Sequence, residues 1–241
     1  MKSLVIAFLF AASVVAQDPM PIESRLAAPP SGALILIGSG ASTRAWRPVA
    51  AADGALPWAQ KDGVLEVQPG KGSIVTQRRW QSFRLHLEFR VPDESEGERG
   101  NSGVYLQERY EVQILNTFGE PPLDHGAGAL YRLRAPAVNA ARPAGQWQSY
   151  DLVFRAARFQ AGKKTEDARI TLVHNGVLVH DDVALSRKTG AGQAEGADPR
   201  PILLQDHGSP VAFRNTWILP LESETTEASA RALASAVRTG R

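Results

Sequence analysis

From about residue 34 to residue 221 the chain is a succession of short runs in which apolar and polar side chains alternate, each run stopping at Gly, Pro, Asp or Asn. Such a chain cannot bury its apolar atoms as helices, because a period of two puts them on one face of a strand and all around a helix. "FRLHLEFRV" shows the pattern most clearly, with Phe83, Leu85, Leu87, Phe89 and Val91 on one side. "VHNGVLVH" carries Asn175-Gly176 between two such runs, the pair that best tolerates the positive φ angles of a tight hairpin. The alternation predicts strands at 64–67, 83–91, 103–107, 110–115, 129–133, 148–156, 169–174, 177–183, 202–206 and 212–219. That many short strands with turn punctuation predict an all-β sandwich or jelly roll.

Outside that region the character changes. "MKSLVIAFLFAASVVAQDP" has one early Lys2, an apolar run and small residues before Gln17, which predicts a signal peptide over 1–16 and an exported protein, periplasmic or extracellular. Residues 17–33, rich in Pro, Ala and Ser, read as a linker, and 34–221 as one domain. The tail at 222–241 is Ala-rich but only weakly apolar on any face, which predicts a frayed helix or disorder. The charged or Gly-rich loops at 93–100 and 190–200 are expected to be mobile. With no cysteine, the domain must be held by its core alone. Lys and Arg (27) nearly balance Asp and Glu (25), without basic clusters, so nucleic acid is not an expected partner. No later apolar stretch approaches bilayer length, so no membrane partner is expected either.

Four polar segments interrupt the pattern. In "NSGVYLQERYEVQILNTFG", if Tyr110, Val112 and Ile114 face the core, then Glu111 and Gln113 face away from it, with Asn101 and Tyr105 within reach. They form either a wet surface or the floor of a site. In "LDHGAGALYRL", Asp124 and His125 make either a turn or a group overhanging a pocket. "PILLQDHGSPVAFRNTWI" ends an apolar run in Gln205, Asp206, His207 and Gly208, then restarts with Arg214 and Asn215. His207 is the side chain best suited to proton transfer near neutral pH. In "ARPAGQWQSYDLVFRA", Trp147 is either a core or rim aromatic or a platform for a sugar ring.

There is no phosphate-cradling loop, no nucleophile elbow and no HExxH. The five histidines lack close metal-ligand spacing. A pair of carboxylates on one strand face, as in ordinary glycosidases, is also missing, because Glu111 is followed on its face by Gln113 and Leu115.

"NSGVYLQERYEVQIL", "GAGALY", "GQWQSYDLVF", "HNGVLVHDDV" and "LLQDHGSPVAFRNTWI" occur in the order found in 3-keto-disaccharide hydrolase domains. The upstream stretch with Trp58, Gly63 and Thr76 is similar to the first third of that family, so the resemblance spans roughly residues 50 to 219. It implies a concanavalin A-like jelly-roll sandwich of two antiparallel sheets. It also implies action on glycosides already oxidised to a ketone at C3 by an upstream sugar oxidoreductase. The chain departs from the family at Asn116, where an acidic residue is usual, in "GQWQ" for "GEWN", and in a reduced opening motif where Trp46 survives.

The implied chemistry needs a base, an acid for the leaving oxygen, and donors for an enolate. On this reading Glu111 and His207 are the catalytic pair, their two roles left unassigned. Asn101, Tyr105, Gln113, His125, Gln205, Asp206 and Arg214 are expected around the sugar. No cofactor is certain, though a divalent cation at Glu111, Gln113 and His207 is an arrangement these donors allow. The rival expectation is a non-catalytic carbohydrate-binding module on the same fold.

Overall fold

The computed structural model describes residues 26–39, 41, 44–51, 53–93 and 99–239. The expected signal peptide and most of the expected linker lie outside the described residues, as does 94–98 of the first loop. Fifteen strands appear: β1 (Leu34–Ile37), β2 (Trp46–Pro48), β3 (Ala59–Lys61), β4 (Val64–Glu66), β5 (Ile74–Thr76), β6 (Ser82–Arg90), β7 (Ser102–Leu106), β8 (Tyr110–Ile114), β9 (Gln148–Arg155), β10 (Arg158–Gln160), β11 (Lys163–Glu166), β12 (Ala168–His174), β13 (Val177–Leu185), β14 (Leu203–Leu204) and β15 (Ala212–Leu221). One helix, α1 (Ser223–Thr239), follows them.

The strands make a jelly-roll sandwich of two antiparallel sheets. The larger runs β13-β12-β9-β6-β15-β4-β3 with β1 also paired to β15, and the smaller runs β2-β5-β14-β7-β8. β10 and β11 form a separate ribbon. The core lies between the sheets, with Phe83, Leu85, Leu87 and Phe89 of β6 meeting Val104, Leu106, Tyr110, Val112 and Ile114 of β7 and β8. Each fully buried Phe or Leu there contributes about 1.5–3 kcal/mol, in a chain that has no cysteine with which to add a disulfide. Tyr150 of β9 spans the core, and its hydroxyl donates to the Gln113 carbonyl of β8 at 2.6 Å.

The β12–β13 hairpin turns on Asn175 (φ 49°) and Gly176 (φ 77°), as the dipeptide predicts. The expected strand at 129–133 is a chain of turns instead, paired to β8 by the isolated Val112–Leu130 bridge. Glycines at 126 and 128 let this segment curl close to β8 rather than run beside it: Gly128 N–H donates to the Gln113 carbonyl at 3.0 Å.

The expected mobile loop at 190–200 is tied down. Arg109, 2% exposed, donates to the Ala194 carbonyl at 2.9 Å and to Asp198 Oδ1 at 2.7 Å, and the Tyr110 hydroxyl donates to Glu195 at 2.6 Å. α1 packs on the outer face of the larger sheet, where Leu233 joins Leu26, Val153 and Val173 in a second apolar cluster. No helix among the described residues is long and apolar enough to cross a membrane.

Candidate functional site

Because Tyr110, Val112 and Ile114 point into the core, Glu111 and Gln113 point out of the smaller sheet. They do not meet open solvent. Glu111 is 4% and Gln113 3% exposed, since the segment from Thr189 to Ala191 and the ring of Tyr131 cover them. The covering segment is fixed to the strand: Glu111 N–H donates to Thr189 Oγ1 at 2.6 Å, and Thr189 N–H donates to the Arg109 carbonyl at 3.0 Å. What is left is a pocket of about 170 Å³ over the sheet.

Six of the nine expected site residues line it: Asn101, Tyr105, Glu111, Gln113, Gln205 and His207. Tyr105 is the register partner of Glu111 on β7, and its hydroxyl donates to Glu111 Oε2 at 2.8 Å. With its nitrogen turned to the carboxylate, the Gln113 amide donates to Glu111 Oε1 at 3.1 Å and to the Ser102 carbonyl at 3.3 Å. Turned the other way it would keep one bond to Asn101 at 3.0 Å and set its oxygen against the carboxylate, so the first orientation is the favourable one for the ionised acid. With Gln113 so turned its oxygen faces Asn101 at 3.0 Å, so the Asn101 amide turns with it, donating to Gln113 and setting its own oxygen toward His207 Nδ1 at 3.2 Å; Gln205 Nε2 lies 3.5 Å from the Tyr105 oxygen. His207 sits exposed at the rim, while Glu111 lies on the floor.

Burial pushes the Glu111 carboxyl up to about 7, although the Tyr105 hydrogen bond and the charge of His207 pull the other way. Burial and the adjacent Glu111 likewise raise Tyr105, which stays a proton donor. A carboxyl poised near neutrality beside a fixed hydroxyl is suited to removing a proton from carbon and returning one to oxygen. Two glycines make room for it. A Cβ at Gly103 would lie 2.5 Å from Glu111 Oε1, and one at Gly190 would lie 2.7 Å from Glu111 Oε2.

Three expected site residues belong elsewhere. His125 is in an exposed turn, its Nδ1 2.7 Å from Asp124 Oδ1, where the backbone bond from Gly126 to Leu123 closes the turn. Asp206 braces loops, accepting from Gly72 N–H at 2.8 Å and Gly208 N–H at 3.0 Å. Arg214 lies on β15, hence on the outer face of the other sheet, donating through Nε to Glu88 at 2.6 Å. Conversely, Tyr131, Gly190 and Ala191 line the pocket without having been expected. The Gly-rich approach at 126–128 was the available signal for Tyr131. Asn116 is not among the pocket-lining residues; its carbonyl is held by Arg99 at 2.7 Å. Among the described residues no group of three or more His, Asp or Glu side chains is placed to hold a metal ion.

The model of the 3-keto-alpha-glucoside-1,2-lyase-like domain matches residues 35–219. A crystal structure from Parabacteroides distasonis, of a "putative glycosyl hydrolase", is 35% identical, with a TM-score of 0.73 over 80% of this chain and 85% of that one. A second protein of that organism, described in the same words, is 21% identical, with a TM-score of 0.60 over 79% of this chain and 94% of the other, and bears on the fold alone. No curated protein matches the chain.

Proposed function

The chain belongs to the 3-keto-alpha-glucoside-1,2-lyase-like domain family, a family of carbohydrate-active hydrolase and lyase-like domains, and from that premise we propose that it cleaves 3-keto-glycosides in the Glu111 pocket. A ketone at C3 acidifies the C2 proton. Glu111 removes that proton, and the electrons pass to the C3 oxygen as an enolate. Tyr105, Gln113 and Asn101 supply donors around this developing charge. When the enolate collapses, the C1–O bond breaks, C1 and C2 become doubly bonded, and His207 delivers a proton to the departing oxygen. Adding water across the double bond, hydroxyl to C1 and proton to C2, completes a net hydrolysis; release before that step makes the reaction a lyase. On this reading an oxidoreductase acting on the C3 hydroxyl comes first, and the signal-peptide-like N-terminal sequence supports a reaction outside the cytoplasm.

The observation that carries this reading is the single buried carboxyl at about 7, hydrogen-bonded to Tyr105 in a pocket with a histidine at its rim. Among the described residues no second carboxylate lines that pocket, as a conventional glycosidase would need. The test is incubation of the purified protein with a glucoside and with its 3-keto form, products followed by chromatography. Turnover of the ketone alone is expected. Release of sugar from the unoxidised glucoside would replace this mechanism with ordinary glycoside hydrolysis, and turnover of neither would leave a binding module. Glu111, Gln113 and His207 could also hold a divalent cation, which would supply Lewis-acid help to the ketone; a chelator arm reads that out.

A further inference from the structure

A second pocket, of about 180 Å³, opens on the outer face of the larger sheet, on the far side of the sandwich from Glu111. Its wall holds a charged cluster with no part in the chemistry above. His86 and Asp151, neither with any solvent exposure, pair at 2.8 Å beneath the stacked indole of Trp217. Glu88 accepts from Arg214 Nε at 2.6 Å and from Asn215 Nδ2 at 2.8 Å. Arg214 is therefore held at one edge by a carboxylate and on one face by Trp147, whose ring centre lies 4.0 Å from the guanidinium carbon. Neither terminal nitrogen of Arg214 has a partner among the described residues, and the side chain is 42% exposed.

An immobilised guanidinium with its two terminal nitrogens presented to a pocket matches a two-oxygen acceptor. The local charge has the same sense. Among the described residues His86, Arg90, Arg142 and Arg214 face Glu88 and Asp151, with Asp93 against the Gly145 backbone as a third acid. His86 counts as a cation: burial alone would lower it, but its hydrogen bond to Asp151 and the Glu88 carboxylate 3.8 Å away prevail and hold it at about 9. Burial would raise Glu88, but nearby His86 and the hydrogen bonds from Asn215 and Arg214 keep it ionised, at about 2. Glu88 is thus already engaged and Asp151 is tied to His86 through Oδ1, so the Arg214 edge is what remains at the pocket to recognise a ligand. Two buried polar atoms of lining residues, Gln148 Nε2 and Ser149 Oγ, also lack partners; the Gln148 oxygen is fixed by the Arg142 N–H at 3.0 Å and Asn175 Nδ2 at 3.3 Å.

We propose that this pocket is a second ligand site, binding a small oxyanion in two-pronged fashion on Arg214 against Trp147. Carboxylate and phosphate share that chemistry, so the source is either an acidic sugar or free phosphate. The site does not rest on the reading of the Glu111 pocket. The test is calorimetric titration at low salt of the intact protein with glucuronate, inorganic phosphate and glucose. Saturable binding of glucuronate, phosphate or both, at about millimolar Kd, is expected, with glucose inert. Arg214→Gln should weaken it roughly ten- to hundredfold. Arg214→Lys keeps a charge for Glu88 but loses the fork, and should weaken binding while thermal unfolding stays near wild type. Glu111→Gln should leave it unchanged. Binding of glucuronate alone identifies an acidic sugar, and of phosphate alone a phosphate site. Flat titrations with both oxyanions, equal binding of glucose, undiminished binding in Arg214→Lys, or loss in Glu111→Gln would each overturn the proposal.

Discussion

Tyr105 and Glu111 face each other across one rung of the β7–β8 ladder, and the phenol donates to the carboxylate at 2.8 Å. Burial raises the Glu111 carboxyl, this bond and the charge of His207 oppose it, and the balance holds the group at about 7. Removing it in Tyr105→Phe should raise that carboxyl further, by about one pH unit for a hydrogen bond to a charged group. The rising limb of kcat/KM against pH, measured on a 3-keto-glucoside, should move to higher pH by that amount.

Glu111→Gln should lower kcat by roughly 10² to 10⁴, the usual worth of a general base. Its effect on stability runs the other way. The folded carboxyl, at about 7, lies above its ordinary value of 4.5, so the unfolded chain ionises first. The stability this lends is complete below pH 4.5 and is lost as pH rises through about 7. The variant should lack that decline and exceed wild type by roughly 1–3 kcal/mol in urea unfolding at pH 8.

His86 extends the slope to higher pH. Held at about 9, above its ordinary 6.5, it contributes stability that is present below pH 6.5 and disappears as pH rises through 9. Asp151→Asn removes its main partner. Unfolding midpoints of that variant should be nearly flat between pH 6.5 and 9, where wild type falls.

Tyr150→Phe deletes the hydroxyl that reaches the Gln113 carbonyl across the core. A loss of about 1 kcal/mol in stability is expected. Gln113 lies on the pocket floor, so KM for the 3-keto-glucoside should rise more than kcat falls, as for a residue that only positions another.

Strand period made much of this molecule readable in advance. Glu111 and Gln113 could be assigned to one face because Tyr110, Val112 and Ile114 claim the other, and Asn175-Gly176 fixes its own turn. The short strands β1, β2, β3, β5, β10 and β11 were not readable: with three or four residues each, they exist through their ladder partners rather than through any period of their own. Arg214 was misplaced for a topological reason. β14 belongs to the smaller sheet and β15 to the larger, so the chain crosses the sandwich between Leu204 and Ala212 and carries Arg214 away from His207. Tyr131 and Gly190 come from segments with no period; only their backbone bonds to β8 and its neighbours bring them over Glu111. α1 is held by Leu233 against Val153 and Val173, a contact that its own weak apolar face does not announce.

The two glycines beside Glu111 tie three positions of the sequence into one unit of inheritance. Oxygens 2.5 Å and 2.7 Å from the missing Cβ positions leave no space for alanine while the carboxylate keeps its present place. Relatives with a side chain at position 103 or 190 are therefore expected to carry a shorter acid, or none, at 111, and to have changed or lost their chemistry together with it.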